Sequence, residues 1–372
     1  MQFEITAKQG KARTGILTTS YGKVNTPAIT VNFTPALIRT RLEPKKLKEL
    51  GVEMVLVNVL HAHIAGVGET HKDLDWDGSV FCDSGGFQMV SLSEKSRVHR
   101  DGVDFMLDGV EYKLTPQIVA EWQKDIGVDI IMPLDYVVHV LGKNPLIFIK
   151  SVLITQRWFQ LSHGIAPDKM FYIVQGGLNR VARDISIRYA NEWLNANPPG
   201  IAIGGLAGGE KRSTMYKMVN YCTTYLVDDK PRHLLGVGTP IDLLECIERG
   251  VDTFDCVAST REARHGRLWT SNGYLQFGYE RHKDDHWVIE EECDCPVCSR
   301  GTTRAELISA MSHKDPNDSP KRQAERDWAI QQCMLHNIRF VMRLMGQSRE
   351  SIKRGDFPHF KKSFIKKFTN SA

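Results

Sequence analysis

Three cysteines crowd into Cys293-x-Cys295-x2-Cys298. Thiolates this close on one turn converge on a tetrahedral cation, and Zn2+ suits soft sulfur ligands. A fourth ligand is required. His336, in Met334-Leu335-His336-Asn337, is the leading candidate, with Cys333 and His313 as alternatives. A closed Cys3His set would be structural rather than catalytic, because it leaves no coordination position for substrate. The second constellation is a pair of carboxylates. Asp83 stands in Phe81-Cys82-Asp83-Ser84-Gly85-Gly86-Phe87-Gln88 and Asp255 in Thr253-Phe254-Asp255-Cys256-Val257. Each ends an apolar run, where a charge is costly without a task. Two facing carboxylates can divide the work of nucleophile and general acid/base at an anomeric carbon.

Gly204-Gly205-Leu206-Ala207-Gly208-Gly209-Glu210 has neither the Gly-Lys-Ser/Thr ending of a phosphate loop nor dinucleotide spacing. Its glycines suit close backbone approach to a flat ligand. Arg261, Arg264 and Arg267 follow Asp255 closely and could hold phosphates or a base edge. His61-Ala62-His63 raises a rival, a metal-dependent amidohydrolase barrel. That chemistry also needs histidines on later strand ends, where this chain carries Gln175, Gly205 and Gly236. A non-catalytic zinc protein that binds RNA would leave both strand-end carboxylates unexplained.

The elements that must position these groups read as alternating strands and helices. Apolar strands are expected at 28–32, 54–58, 80–83, 128–134, 170–175, 201–204, 233–236 and 251–256. Helices are expected at 35–50, 115–126, 145–161, 180–194, 213–226 and 241–249. Eight such units predict an α/β fold, a (β/α)8 TIM barrel. Polar or glycine-rich residues follow the strands: Asn58, Asp83, Asp135, Gln175, Gly204, Gly236 and Asp255. A closed barrel gathers all strand ends onto one face, whereas an open sheet would scatter them. The expected division is a catalytic barrel with an N-terminal extension over 1–279, a zinc-binding subdomain over 280–345 that includes a helix at 328–345, and a basic tail over 346–372. The tail carries Lys353, Arg354, Lys361, Lys362, Lys366 and Lys367 among Phe357, Phe360, Phe364 and Phe368. It reads either as a frayed terminus or as a phosphate-facing patch.

Across 372 residues, 42% are hydrophobic and 25% charged, which fits a globular chain, and 48 basic against 44 acidic residues neither demand nor exclude a nucleic-acid partner. No run of about 18 apolar residues is present to span a membrane. The N-terminus lacks an apolar signal core, and the clustered cysteines suit metal rather than disulfides, so a cytoplasmic location is expected.

Taken in order, Asp83-Ser84-Gly85-Gly86-Phe87-Gln88, Asp135, Val174-Gln175-Gly176, Gly204-Gly205-Leu206-Ala207, Gly236-Val237-Gly238, Phe254-Asp255-Cys256-Val257, Thr260-Arg261, Ala263-Arg264 and the cysteine cluster with His336-Asn337 closely resemble the tRNA-guanine transglycosylases, over most of the chain. The resemblance implies exchange of guanine at the wobble position of tRNA with a GUN anticodon for a 7-deazaguanine base, with structural Zn2+ and a homodimer. Asp255 would be the nucleophile and Asp83 the proton donor and acceptor. Ser84, Gly85, Gly86, Phe87, Asp135, Gln175, Gly204, Gly205, Leu206 and Leu235 would surround the base. Gly236, Val237, Gly238, Thr239, Asp242, Thr260, Arg261, Ala263 and Arg264 would meet the RNA. Cys293, Cys295, Cys298 and His336 would hold the metal.

Two departures from the family pattern stand out: Ser259 where Pro usually precedes Thr-Arg, and Val57-Asn58-Val59-Leu60-His61 where Gly-Asn-Thr-Tyr-His is usual. Members that use the aminomethyl precursor carry Cys two residues after the recognition Asp and Val in the glycine loop. Here those positions are Val137 and Gly208. The larger space implies queuine as the favoured base, with the aminomethyl precursor as the alternative.

Overall fold

The computed structural model describes residues 1–33, 42–86, 96–107, 109–194, 198–312 and 319–370. Phe87, His313 and the first part of the expected 35–50 helix lie outside these residues. Eight parallel strands form one sheet: β4 (Ala28–Asn32), β5 (Met54–Asn58), β6 (Ser79–Asp83), β10 (Ile130–Ile131), β11 (Tyr172–Val174), β12 (Ile201–Ile203), β13 (Arg232–Leu234) and β14 (Thr253–Asp255). Their order is β10-β6-β5-β4-β14-β13-β12-β11. The two ends of this order meet. Ile131 bridges Met170 in parallel, and Phe171 N–H donates to Ile131 C=O at 3.0 Å. The sheet is therefore a closed (β/α)8 barrel. All eight expected strands form, shortened by a residue or more in the later half.

Side-chain alternation along each strand divides the core in two. Met54 and Leu56, Phe81, Ile130 and Met132, Phe171 and Ile173, and Ala202 fill the interior with Leu17 and Val24. The intervening Val55, Val57, Val80, Cys82, Tyr172, Val174, Ile201, Ile203, Leu234 and Phe254 pack outward beneath the helices. Leu17 and Val24 come from an antiparallel sheet of β1 (Gln2–Gln9), β2 (Ala12–Thr19) and β3 (Gly22–Thr26), so the N-terminal extension packs onto the interior cluster.

A second antiparallel sheet, β7 (Ser96–Val98), β8 (Val103–Leu107) and β9 (Val110–Leu114), follows β6. Sequence reading missed it because its strands are short and half-exposed. After β14 come a helix, Ala258–Arg264, a hairpin of β15 (Arg267–Thr270) and β16 (Gly273–Gln276), and the cysteine cluster. The expected 328–345 helix runs from Pro320 to Arg354. Ser319 caps it, accepting from Arg322 N–H, and Gly355 ends it in the left-handed region.

Of the two readings of the tail, the frayed terminus fails, because the segment forms a helix, Phe357–Thr369. Phe357, Phe360, Phe364 and Phe368 recur at helical spacing and join the main core beside Phe340. Lys361 pairs with Glu245 at 3.0 Å and with Glu248 at 2.5 Å, so the segment's basic charge is partly neutralised within the protein. No described helix is long and apolar enough to cross a membrane.

One buried ion pair ties the N-terminal sheet to the barrel. Arg13 on β2 donates through Nε and a terminal nitrogen to both oxygens of Asp252, at 2.8 and 2.6 Å, and Arg232 N–H donates to the same carboxylate at 2.7 Å. Both side chains are almost fully buried. Removing one partner strands the other charge away from water. Asp252→Ala should therefore lower unfolding free energy by about 3–5 kcal/mol, read from denaturant unfolding. A loss below about 1 kcal/mol, the range of an exposed pair, would show that the pair is not holding the sheet in place.

Candidate active site

The inward-facing parity that fills the interior also decides what reaches its mouth. One step of two residues beyond Leu56, Phe81, Ile173 and Ala202 lie Asn58, Asp83, Gln175 and Gly204. On β14 the inward series is Thr253 and Asp255, and beyond β13 it continues to Leu235, which packs on the interior cluster. The carboxylates thus share the C-terminal face of the barrel, as expected for such enzymes.

Asp83 accepts from Asn58 Nδ2 at 2.6 Å and from Gly85 N–H at 2.8 Å, both on Oδ1. Burial nevertheless pushes its carboxyl up to about 7, assisted by the negative charges of Asp255 and Asp135 and opposed by the two hydrogen bonds. Burial also pushes Asp135 up to about 6, against a hydrogen bond donated by Gln175 Nε2. Asp255 accepts on Oδ1 from His233 Nε2 and from Gly236 N–H, each at 3.0 Å. No described protein group donates to its Oδ2.

Ser84, Gly85 and Gly86 are buried beside Asp83. A Cβ on Gly86 would lie 3.3 Å from both Asp135 Oδ1 and Ser84 Oγ, so these three residues border one space. Gln175 Oε1 is buried without a partner among the described residues. Gly205 holds φ at +66°, and a Cβ there would lie 2.4 Å from that oxygen, so glycine lets the backbone pass. Arg183, fully buried, donates to three carbonyls: Val174 at 2.8 Å, Gly177 at 2.9 Å and Gly204 at 2.7 Å. It joins the ends of β11 and β12 and so fixes the loops carrying Gln175 and Gly205. Sequence reading missed it, because nothing in a helical arginine signals three distant carbonyls.

Leu206 and Val137 are half-buried, and Gly208 is exposed. Glu210 accepts from the N–H groups of Ala207 and Gly208, at 2.7 and 2.9 Å, and fixes their loop. A Cβ on Gly208 would approach Val140 to 3.0 Å.

The other residues expected to meet RNA differ in exposure. Gly236 meets Asp255, as above, while Val237 and Gly238 are buried behind it. Thr239 Oγ1 and the Tyr216 hydroxyl donate to the buried Asp242, and Arg212 lies 3.5 Å from it. Asp242 is thus engaged within the protein. On the helix Ala258–Arg264, Thr260 and Ala263 face the core, Arg261 is exposed and Arg264 half-buried. His63 stacks on Trp122 with ring centroids 3.6 Å apart.

Among the described residues, one cluster could hold a metal: Cys293, Cys295, Cys298 and His336, all buried. His336 Nδ1 lies 3.7, 3.5 and 3.5 Å from the three sulfurs. A tetrahedral Zn2+ with ordinary bond lengths separates S and N ligands by roughly 3.6 Å. His336 Nε2 meets Trp269 C=O at 2.9 Å, which leaves Nδ1 unprotonated for a metal. The donor set therefore fits a closed structural zinc. The next residue, Asn337, donates to the carbonyls of Ser259 and Arg267 and accepts from Trp269 N–H. The metal-bearing helix is thereby fastened to the segment that follows Asp255.

The family model described as queuine tRNA-ribosyltransferase matches residues 8–370. The chain belongs to this family. It is 34% identical to the queuine tRNA-ribosyltransferase of Dictyoglomus turgidum, over 99% of this chain and 95% of that protein. The Fusobacterium nucleatum protein of the same name is also 34% identical, over 98% of each chain. So is a protein of Schizosaccharomyces pombe named as a queuine tRNA-ribosyltransferase catalytic subunit, over 98% of this chain and 91% of that one.

Membership in this transglycosylase family makes the chain a pentosyltransferase whose family performs base exchange in queuosine-type tRNA modification. The histidine pair that suggested an amidohydrolase joins no metal-binding cluster among the described residues.

Two measurements test this site. His336→Ala should lose bound zinc or solubility on metal analysis, whereas full retention of zinc would move the fourth ligand elsewhere. Asp83 should titrate near pH 7, followed by carboxyl-carbon NMR, and Asp255→Asn should bring that midpoint down by removing a neighbouring charge. Because the folded value lies above the unfolded one, Asp83 should subtract stability as pH rises from about 4 to 7, and no further above. A midpoint near 4 would refute its burial.

Proposed function

We propose that this transglycosylase exchanges guanine at the wobble position of GUN-anticodon tRNA for queuine through a covalent Asp255–ribose ester. The observation that carries the reading is the pairing of two differently held carboxylates on one barrel face. Asp83, pushed up to about 7, can give and take a proton near neutrality. Asp255 has one oxygen held by two donors and the other without a described protein donor.

In the first step Asp255 Oδ2 attacks the ribose anomeric carbon. The bond to the guanine nitrogen breaks, its electron pair stays with the base, and Asp83 supplies the proton. In the second step Asp83 takes the proton of the incoming base. The freed nitrogen attacks the same carbon, and Asp255 leaves. Two inversions retain the sugar configuration, as in retaining glycosidases with a base replacing water. The zinc takes no part in these steps and serves the fold.

Asp135 would accept from the base's ring N–H and amino group. Gln175, Ser84 and the Gly205-Leu206 backbone would read the opposite edge, with Leu235 packing on one face and Phe87 stacking on the other. Arg261 and Arg264 would hold splayed anticodon nucleotides, which only a single-stranded loop offers. Gly236, Val237, Gly238, Thr239 and Asp242 would shape the loop against which the RNA lies, and Thr260 and Ala263 would seat the arginine helix. A homodimer would place one anticodon loop in one subunit, and a cytoplasmic setting suits the substrate.

Val137 and the side-chain-free Gly208 favour the bulky cyclopentenediol of queuine over the aminomethyl precursor. Valine at 208 would press first on Val140, so its effect on base choice would come through the loop.

The test combines trapping and competition. The protein should release labelled guanine from tRNA and form a denaturant-resistant tRNA adduct that Asp255→Asn does not form. Queuine should show the higher kcat/KM in competition with the aminomethyl precursor. An adduct in the asparagine variant would remove Asp255 as nucleophile. Equal or better use of the precursor would overturn the base assignment alone.

A further inference from the structure

The geometry points to His233 as a positioning residue that holds Asp255 in its reactive orientation and stabilises its carboxylate as a leaving group in the second half of the exchange. The inference rests on Asp255 being the nucleophile.

His233 lies on β13, on the inward parity, beside a barrel interior whose core cluster is apolar. It is fully buried, and its ring stacks on Phe81 with centroids 4.3 Å apart and planes at 26°. Both ring nitrogens are engaged: Nδ1 meets Thr253 Oγ1 at 2.9 Å and Nε2 meets Asp255 Oδ1 at 3.0 Å. An ionised carboxylate can only accept, so Nε2 carries the proton. In a neutral ring Nδ1 is then a lone pair, to which the Thr253 hydroxyl can donate. Asp255 therefore sets the tautomer, Thr253 satisfies the nitrogen left over, and Phe81 fixes the ring plane. The chain Thr253–His233–Asp255 ends on the same oxygen that Gly236 N–H holds.

That arrangement treats the two carboxylate oxygens differently. Oδ1 has two donors, while Oδ2 meets none among the described residues and is the one available to attack. When the ester forms, Oδ1 becomes a carbonyl oxygen and its hydrogen bonds weaken. When the incoming base attacks the anomeric carbon, the carbon–Oδ2 bond breaks and its electron pair returns to the carboxylate. The charge spreads onto Oδ1, where the His233 and Gly236 donors strengthen as it develops. The proton of the incoming base goes to Asp83, and His233 keeps its own proton throughout. A histidine that merely satisfied its nitrogens in the core would leave the rate of this step unchanged.

The experiment isolates the second half-reaction. Adduct is formed on tRNA without incoming base, freed of guanine, and chased with saturating base, and tRNA affinity is measured separately. A charged hydrogen bond lost from the leaving carboxylate should slow the chase of His233→Leu roughly ten- to a hundredfold, with tRNA affinity unchanged. His233→Gln, whose amide N–H can replace Nε2–H, should recover most of the rate. Thr253→Val, which removes the donor to Nδ1 at nearly constant volume, should slow the chase by less than leucine does.

A wild-type chase rate in His233→Leu, or a glutamine variant as slow as leucine, overturns the assignment. Where the leucine variant does not fold, Thr253→Val carries the test, and an unchanged chase rate there overturns it equally. Adduct formation by Asp255→Asn, or none by the wild type, would instead remove the nucleophile reading and this inference with it.

Discussion

Parallel pairing with a two-residue side-chain period is the constraint on which the site depends. Thr253, Phe254 and Asp255 pair with Ala28, Ile29 and Thr30, while Asn58 pairs with Asp83. This register sends Leu56, Phe81, Ile173 and Ala202 into the barrel and, one step later, brings Asn58, Asp83, Gln175 and Gly204 to its mouth. A slip by one residue in β14 would turn Asp255 toward the outer helices and bring the apolar Phe254 inward. The packing that excludes water from the interior therefore also aims the chemistry. No separate device is needed to bring two carboxylates onto one face.

Burial then gives similar carboxylates different characters. Asp83 lies close enough to Asp135 and Asp255 for their charges to help hold its proton on, and two donors are insufficient to reverse the cost of burial. Asp255 gains two donors on a single oxygen. Arg183 contributes by another route. It spends its buried donors on three carbonyls rather than on a carboxylate, so its charge fixes loop geometry without neutralising the site.

The zinc cluster lies outside the barrel sheet, yet its effects reach the segment after Asp255. His336 takes the Trp269 carbonyl on the nitrogen that faces away from the sulfurs, and Asn337 joins Ser259, Arg267 and Trp269. The Trp269 indole N–H in turn donates to Glu262 at 2.6 Å, on the helix that carries Arg261 and Arg264. A metal holding the long helix in register thus also steadies the arginines that follow Asp255, which gives a structural ion a physical link to the site without a chemical role.

The sequence by itself determined the eight barrel strands, because alternation of apolar runs is local, and it determined the three cysteine ligands, because three cysteines on one turn have few other uses. The fourth ligand, open among His336, Cys333 and His313 on spacing alone, was decided by the fold that brings His336 to the sulfurs. The sequence also singled out Asp83, Asp135 and Asp255, each a charge placed where an apolar run ends. Tertiary structure decided what those groups touch. His233 and Arg183 look like ordinary residues of a strand and a helix, and only barrel closure brings them to Asp255 and to the loop carbonyls. In sequence the basic, phenylalanine-rich end stays open between a frayed terminus and a phosphate-facing patch because its apolar stripe has no visible partner in the linear chain. Its partners, Phe340 and Glu245, belong to other helices. Local patterns record what a segment needs to bury, and only packing reveals what buries it.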